Sequence, residues 1–359
     1  MASTGQDFIK NLTPDNGAVT NLRELLFLSV LQSEAIEKVL TVQPGAIHGK
    51  KIGGIGNMGL VGEIQNACRP QFNATAIATQ EKEWDLGEFT VAEEICYKDL
   101  KETLVRYAMR TKTSVADLTG TDYIDLIVEP RLREALTRML WRLFWFGDKD
   151  AKNVSAGGIV TDTVDTKYFD VCDGLFKRLF ALTAANPDQH VEIDANGSAT
   201  YKAQRDDLRA AGVATAIFDD LIYNADMRLR QASDKVVLAT QSFADALAID
   251  VKRTTGSDLQ WESLFDGFIS ATKFNGQEII ALPIWDDMIA AFEDNGTTYN
   301  KPHRVVYASR SALWAGVASE NLVGELDIWF SKDDQVNRML VRDEIGTLVW
   351  ENDLVRFGY

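Results

Sequence analysis

The chain has 359 residues, 46% apolar and 25% charged. That is long enough to bury a sizeable core without disulfides or metals, in two domains or one elaborated one, and too apolar for general disorder. A net charge of −16 excludes a general nucleic-acid binder, which would be basic, and no run of about 18 uncharged apolar residues is present to form a membrane-spanning helix.

The opening residues have no basic n-region and no apolar h-region, so a secretory signal is not expected. Cys68, Cys96 and Cys172 lie far apart with no CxxC, which reads as free thiols in a reducing cytosol. Residues 21–40 read as a helix capped by Asn21, with Leu22, Leu25, Leu26, Ile36, Val39 and Leu40 on a broad apolar face. Residues 41–70 lose periodicity, and seven glycines between 45 and 62 suggest an extended arm without a core pattern of its own. Residues 72–79 and 88–95 are strand-like and flank the charged stretch 80–87, which reads as a long hairpin. That hairpin is polar and has little to bury against its own domain, so it is expected to reach another chain. Trp84 sits between charges at the expected tip, where an aromatic often anchors an interface; packing on its own domain is the simpler alternative.

Residues 96–110 look helical. The strongest helical signal is 121–146, with Leu132, Leu136, Met139, Leu140 and Leu143 in one stripe and Arg131, Arg133, Arg138 and Arg142 off it. Pro130 either starts this helix in its first turn or kinks it, and Gly147-Asp148 ends it. After a polar loop to about 166, the pattern gives a helix at 168–183, a hairpin at 191–201 turning at Asn196-Gly197, and a helical stretch at 203–233. A buried strand at 235–240 and a short helix at 241–250 follow. Strands at 267–274 and 277–283 flank a turn at Asn275-Gly276. A short helix at 284–292, strands at 303–308 and 326–330, and a strand-like tail at 339–359 complete the chain. Helices and strands mix without regular βαβ alternation, which favours α+β.

Motifs for chemistry are sparse. Gly54-Ile55-Gly56-Asn57-Met58-Gly59 matches GxGxxG in letters, but it lacks a buried strand before it and a helix after it. His48, His190 and His303 have no second ligand at metal spacing, and no GxSxG occurs. The pairs Asp206-Asp207, Asp219-Asp220, Asp286-Asp287 and Asp333-Asp334 read as solvated faces and helix caps before they read as paired catalytic carboxylates. No catalytic, cofactor-binding or metal-binding residues are assigned.

A glycine-rich arm, a long hairpin, a long helix, a mixed α/β region and closing strands occur in that order. Glu83–Leu100, Pro130–Asp148, Lys235–Leu247, Phe274–Asp286, Asn300–Tyr307 and Leu326–Asn337 carry a resemblance to the major capsid proteins of tailed double-stranded DNA bacteriophages, the Hong Kong 97 fold. The later segments are similar to capsid proteins of Bacteroidetes phages, including the crAss-like group. The resemblance implies an N-arm at 1–70, an E-loop hairpin at 71–94, a P-domain with its spine helix at 95–148, an A-domain at 149–322 and closing P-domain strands at 323–359. It implies a structural, non-enzymatic protein whose hexamers and pentamers tile an icosahedral shell around double-stranded DNA, without sequence-specific binding or a membrane. Portal and scaffolding or decoration proteins are implied as partners, and assembly in the bacterial host cytoplasm as the setting. Only about 20 polar residues precede the first helix, which implies a separate scaffold or a mature form. Lys82, Trp84 and Asp85 are the expected intersubunit contacts at the E-loop tip, with non-covalent locking the default. An encapsulin-like nanocompartment shell and a cytosolic enzyme with a carboxylate site are the alternatives.

Overall fold

The computed structural model describes residues 34–55, 79–96, 129–151, 165–264, 269–319, 325–331, 333–334 and 336–359. The expected helix at 96–110 and most of that at 21–40 lie outside them. Helices are α1 (Glu34–Glu37), α2 (Glu129–Phe146), α3 (Leu175–Ala185), α4 (Tyr201–Leu208), α5 (Val213–Tyr223), α6 (Met227–Gln231), α7 (Gln241–Thr255) and α8 (Pro283–Phe292). Strands are β1 (Thr41–Pro44), β2 (Lys51–Ile55), β3 (Thr79–Glu83), β4 (Gly87–Cys96), β5 (His190–Val191), β6 (Lys235–Thr240) and β7 (Glu262–Leu264). The remainder are β8 (Ile269–Phe274), β9 (Gln277–Leu282), β10 (Val305–Ser309), β11 (Leu313–Val317), β12 (Glu325–Ser331), β13 (Val336–Val349) and β14 (Val355–Gly358).

A seven-stranded mixed sheet runs β5-β14-β10-β6-β9-β8-β7. Its central strands are apolar on both faces, because helices cover both. Along β6, Val236 and Leu238 face the cluster built with α2, α3 and α8, whereas Val237 and Ala239 face the cluster built with α5 and α7. Strand pleat alone makes this division. The β8–β9 hairpin turns at Asn275 and Gly276, both with positive φ (49° and 73°), as Asn-Gly requires.

A five-stranded sheet is built around β13. β4 lies along one edge of β13, with Gly87 opposite Ile345 and Cys96 opposite Val336. The other edge is shared by β12 and β11, and β1 runs parallel to β11. β2 and β3 form a separate antiparallel ribbon, Lys51 opposite Glu83 and Ile55 opposite Thr79.

α2 is the long helix expected from the sequence, with Pro130 in its first turn. Leu132, Leu136 and Leu140 line its buried stripe, and the run Leu143–Phe146 is buried all round. Trp145 meets Trp285 edge-on at 4.5 Å and Phe176 at 5.1 Å, joining α2 to α8 and α3. Gly147 and Gly174 let the helix exit and the α3 start touch: the Gly174 amide donates to the Gly147 carbonyl at 2.8 Å, and a Cβ on Gly174 would stand 2.6 Å from the Gly147 nitrogen.

Several expectations are corrected. Residues 80–83, expected in the charged tip, instead continue from Thr79 as strand β3 and pair with β2, while 87–96 pairs with β13. Of the hairpin expected at 71–94, residues 71–78 lie outside the described residues; in the rest, Trp84, Leu86 and Phe89 are apolar and buried, so the 84–86 segment of the expected tip folds down on the body instead of turning in solvent. The described part of the arm, 41–55, is not coreless, since β1 joins a sheet and Ala46 is buried; residues 56–70 lie outside the described residues. The 191–201 hairpin is absent. Asn196 and Gly197 lie in a short 3-10 turn, and the Asn196 side chain is used as a tether to the His303 backbone, donating to its carbonyl and accepting from its N–H, each at 2.9 Å. The 203–233 stretch breaks into α4, α5 and α6, with Gly212 at φ 82° before α5 and Asp226 capping α6 at the Arg228 amide. β11, inside the expected A-domain span, belongs to the five-stranded sheet, and β14, inside the expected closing strands, belongs to the seven-stranded one.

Candidate intersubunit strap

The ribbon of β2 and β3 has no sheet partner among the described strands other than itself. Its root is built from the turn after β1 and the break between β3 and β4. The Trp84 carbonyl accepts from the Gly49 amide at 2.9 Å, and the Trp84 amide donates to the Lys50 carbonyl at 3.2 Å. His48 Nδ1 accepts from the Leu86 amide at 3.1 Å.

Trp84 is 3% exposed. Its ring lies 6.2 Å from Trp314, which stacks on Trp350 at 5.1 Å with planes 10° apart. Two glycines admit these rings. A Cβ on Gly316 would stand 2.7 Å from Trp84 Cζ3, and one on Gly54 would stand 2.8 Å from Trp350 Cζ2. An isolated glycine within a strand pattern is the sequence sign of such an approach; Trp314, Trp350, Gly316 and Asn352 were not singled out from the sequence.

Lys82 is half-buried and points to the chain's own C-terminal segment, donating to the Val349 carbonyl and to Asn352 Oδ1 at 2.6 Å. Burial, then the nearby Arg178 charge, hold its ammonium below the usual lysine range. Asp85 pairs with Lys149 at 2.5 Å. The structure therefore gathers Lys82, Trp84 and Asp85 at the root of a ribbon and not at a hairpin tip. Gly54, the first glycine of the GxGxxG match, sits in extended β2 opposite Gln80, and residues 56–59 of the match lie outside the described residues.

The acidic pairs are distributed as caps and surface partners. Asp206 contacts Arg205, Asp207 accepts from Ser198, Asp220 accepts from Asn224, and Asp334 pairs with Arg338. Asp286 is the exception. It lines a cavity of about 680 Å³ and accepts the amides of Gln241 (2.6 Å) and Ser242 (3.1 Å) at the start of α7. Burial pushes its carboxyl up to about 6. Beside it, His303 is buried and held down to about 4 by desolvation. Its Nε2 faces the Gln204 carbonyl at 3.1 Å, which can only accept, so Nδ1 accepts from the Ser242 hydroxyl at 2.9 Å. The helix-start amides are thus already bonded to Asp286, and these groups tie α7, α8 and α4 together. Among the described residues no group of three His, Cys, Asp or Glu is placed to hold a metal ion, and no helix is long and apolar enough to cross a membrane. Cys172 is buried, and desolvation pushes its thiol up to about 12.

No family model matches the sequence, and no curated protein matches it. Solved structures do. The satellite phage P4 procapsid including the size determination (Sid) protein is 9% identical, covers 94% of this chain and 98% of that chain, and superposes with a TM-score of 0.53. Gordonia phage Cozz is 11% identical, covers 89% of this chain and 84% of that chain, with a TM-score of 0.50. The fold is therefore α+β of the capsid-shell type, consistent with the Hong Kong 97 architecture.

Proposed function

We propose that this chain is the major capsid protein of a tailed double-stranded DNA phage, a structural protein that assembles with copies of itself into hexamers and pentamers of an icosahedral shell. The observation that carries this is the likeness to the P4 procapsid, which runs the length of both chains and not over one shared motif. The sheet plan supports a division of labour. α2 and the five-stranded sheet act as the P-domain, the seven-stranded sheet and its helices as the A-domain, and the β2–β3 ribbon as a strap laid over a neighbouring copy. Lys82, Trp84 and Asp85 act in that contact by fixing the strap's root. A heterologous contact of this kind closes into rings by rotation. The net charge of −16 suits a wall that encloses DNA without adhering to it. The portal and scaffolding or decoration proteins are the expected virion partners, the virion capsid the expected location, and the host cytoplasm the expected site of assembly.

Light scattering with negative-stain electron microscopy on the purified full chain, across salt and protein concentration, tests this. Hexamers, pentamers, tubes or closed shells are expected. A chain that stays monomeric at high concentration and with crowding agents, and that binds a small molecule in the cavity beside Asp286, would overturn the reading.

A further inference from the structure

Residues 350–354 carry the chain from β13 in the five-stranded sheet to β14 in the seven-stranded sheet. Three elements grip this short connector. From the ribbon, Lys82 holds the Val349 carbonyl and Asn352 Oδ1, and Gly54 lies against the Trp350 ring. From α6, on the seven-stranded side, the Arg228 guanidinium bonds Glu351 Oε1 and Asp353 Oδ2, each at 2.7 Å. Gln189, next to β5, donates to the Asn352 carbonyl at 2.7 Å. Trp350 and Asn352 thus meet the ribbon, while Glu351 and Asp353 meet Arg228.

We propose that this connector couples the angle of the β2–β3 ribbon to the position of the seven-stranded sheet, with Lys82, Gly54 and Arg228 as positioning residues. The inference deepens the reading of the ribbon as an intersubunit strap and rests on it. The ribbon pairs only with itself among the described strands, so its direction is set at its root. There the Lys82 ammonium is half-buried, and both its bonded acceptors belong to the connector or the residue before it. A shift of the connector that left the ribbon behind would strand that ammonium, and an unmet buried donor is costly. The ribbon therefore follows the connector. The connector in turn follows α6, because one guanidinium spans two of its carboxylates. In a shell, the angle of each strap would then report the tilt of the subunit body that carries it.

Coupling between two sites is reciprocal, which fixes the experiment. Amide hydrogen exchange is measured by mass spectrometry on the unassembled full chain. Arg228→Ala is expected to speed exchange in β2 and β3 by about fivefold or more, and Lys82→Met to speed exchange in α6 by a similar factor. The double substitution Glu351→Gln with Asp353→Asn removes the same grip from the connector side and is expected to reproduce Arg228→Ala. The coupling is overturned if each variant changes exchange only in the elements it touches. Because this readout needs no shell, its failure is separable from that of the strap. Reciprocal exchange in a chain that never assembles would leave the coupling and sink the strap, and shells without reciprocity would do the reverse.

Discussion

The seven-stranded sheet and the β2–β3 ribbon keep their shape by different means. The sheet is covered on both faces. Its strands β6, β9 and β10 bury nearly every side chain, and its charged groups are paired inside. Arg304 and Glu293 are both 0% exposed and bonded to each other, with Arg304 also over the Phe176 ring at 4.6 Å. The ribbon pairs with no other described strand, and a small cluster at its root, with three tryptophans, two close glycines and one lysine, holds it to the five-stranded sheet. Under the proposed function, a body that must not deform needs the first construction, and a strap that takes its direction from elsewhere needs the second.

The largest expected effect breaks the sheet side. Arg304→Met leaves Glu293 buried without its cation, and removing one member of a buried pair costs about 3–5 kcal/mol. Urea unfolding should show that loss, and a change within experimental error would mean the pair does not hold the body. Next is a pH effect. Burial raises Asp286 from the ordinary 3.8 to about 6, so folding favours its protonated form. Its contribution is complete below about pH 4 and is lost as pH rises through about 6, amounting to about 3 kcal/mol at 1.36 kcal/mol per unit. Denaturation midpoints measured from pH 4 to 7.5 should carry this decline, and Asp286→Asn should remove it.

The ribbon side should respond more mildly in stability. Gly316→Ala drives a methyl against Trp84, an overpacking worth about 1–3 kcal/mol, and it should disturb assembly more than it disturbs the melting of the chain. Equal damage to both would erase the contrast between the regions. Arg228→Ala, a surface change, should lower stability by less than about 1 kcal/mol while still changing exchange in the ribbon.

The same contrast explains what could be read from sequence. The sheet and α2 were legible because burial imprints its period. The α2 stripe, the apolar β6 and β9, and the Asn275-Gly276 turn are local signals. The ribbon was misread because its pairing is long-range and polar. Thr79–Glu83 carries no apolar alternation to mark it as a strand, so 80–87 reads as a charged turn instead of the β2 partner it is. Trp84 shows the limit plainly. Its charged flanks suggested an exposed anchor, and only the distant Gly316 and Trp314 reveal why it is buried. Asn196-Gly197 misled in another way: a turn-forming pair was used for a tether to His303, about a hundred residues away. Where a side chain serves a distant partner, local pattern is silent.

The central claim is that the ribbon reaches from one copy to another. A photo-crosslinking amino acid at Glu81, exposed on β3 and paired only loosely with Lys51 at 3.5 Å, tests it most directly. Illumination of the assembled fraction should give chain–chain products in a ladder on denaturing gels, absent from the unassembled chain. Assembled particles that yield only products within one chain would contradict the account.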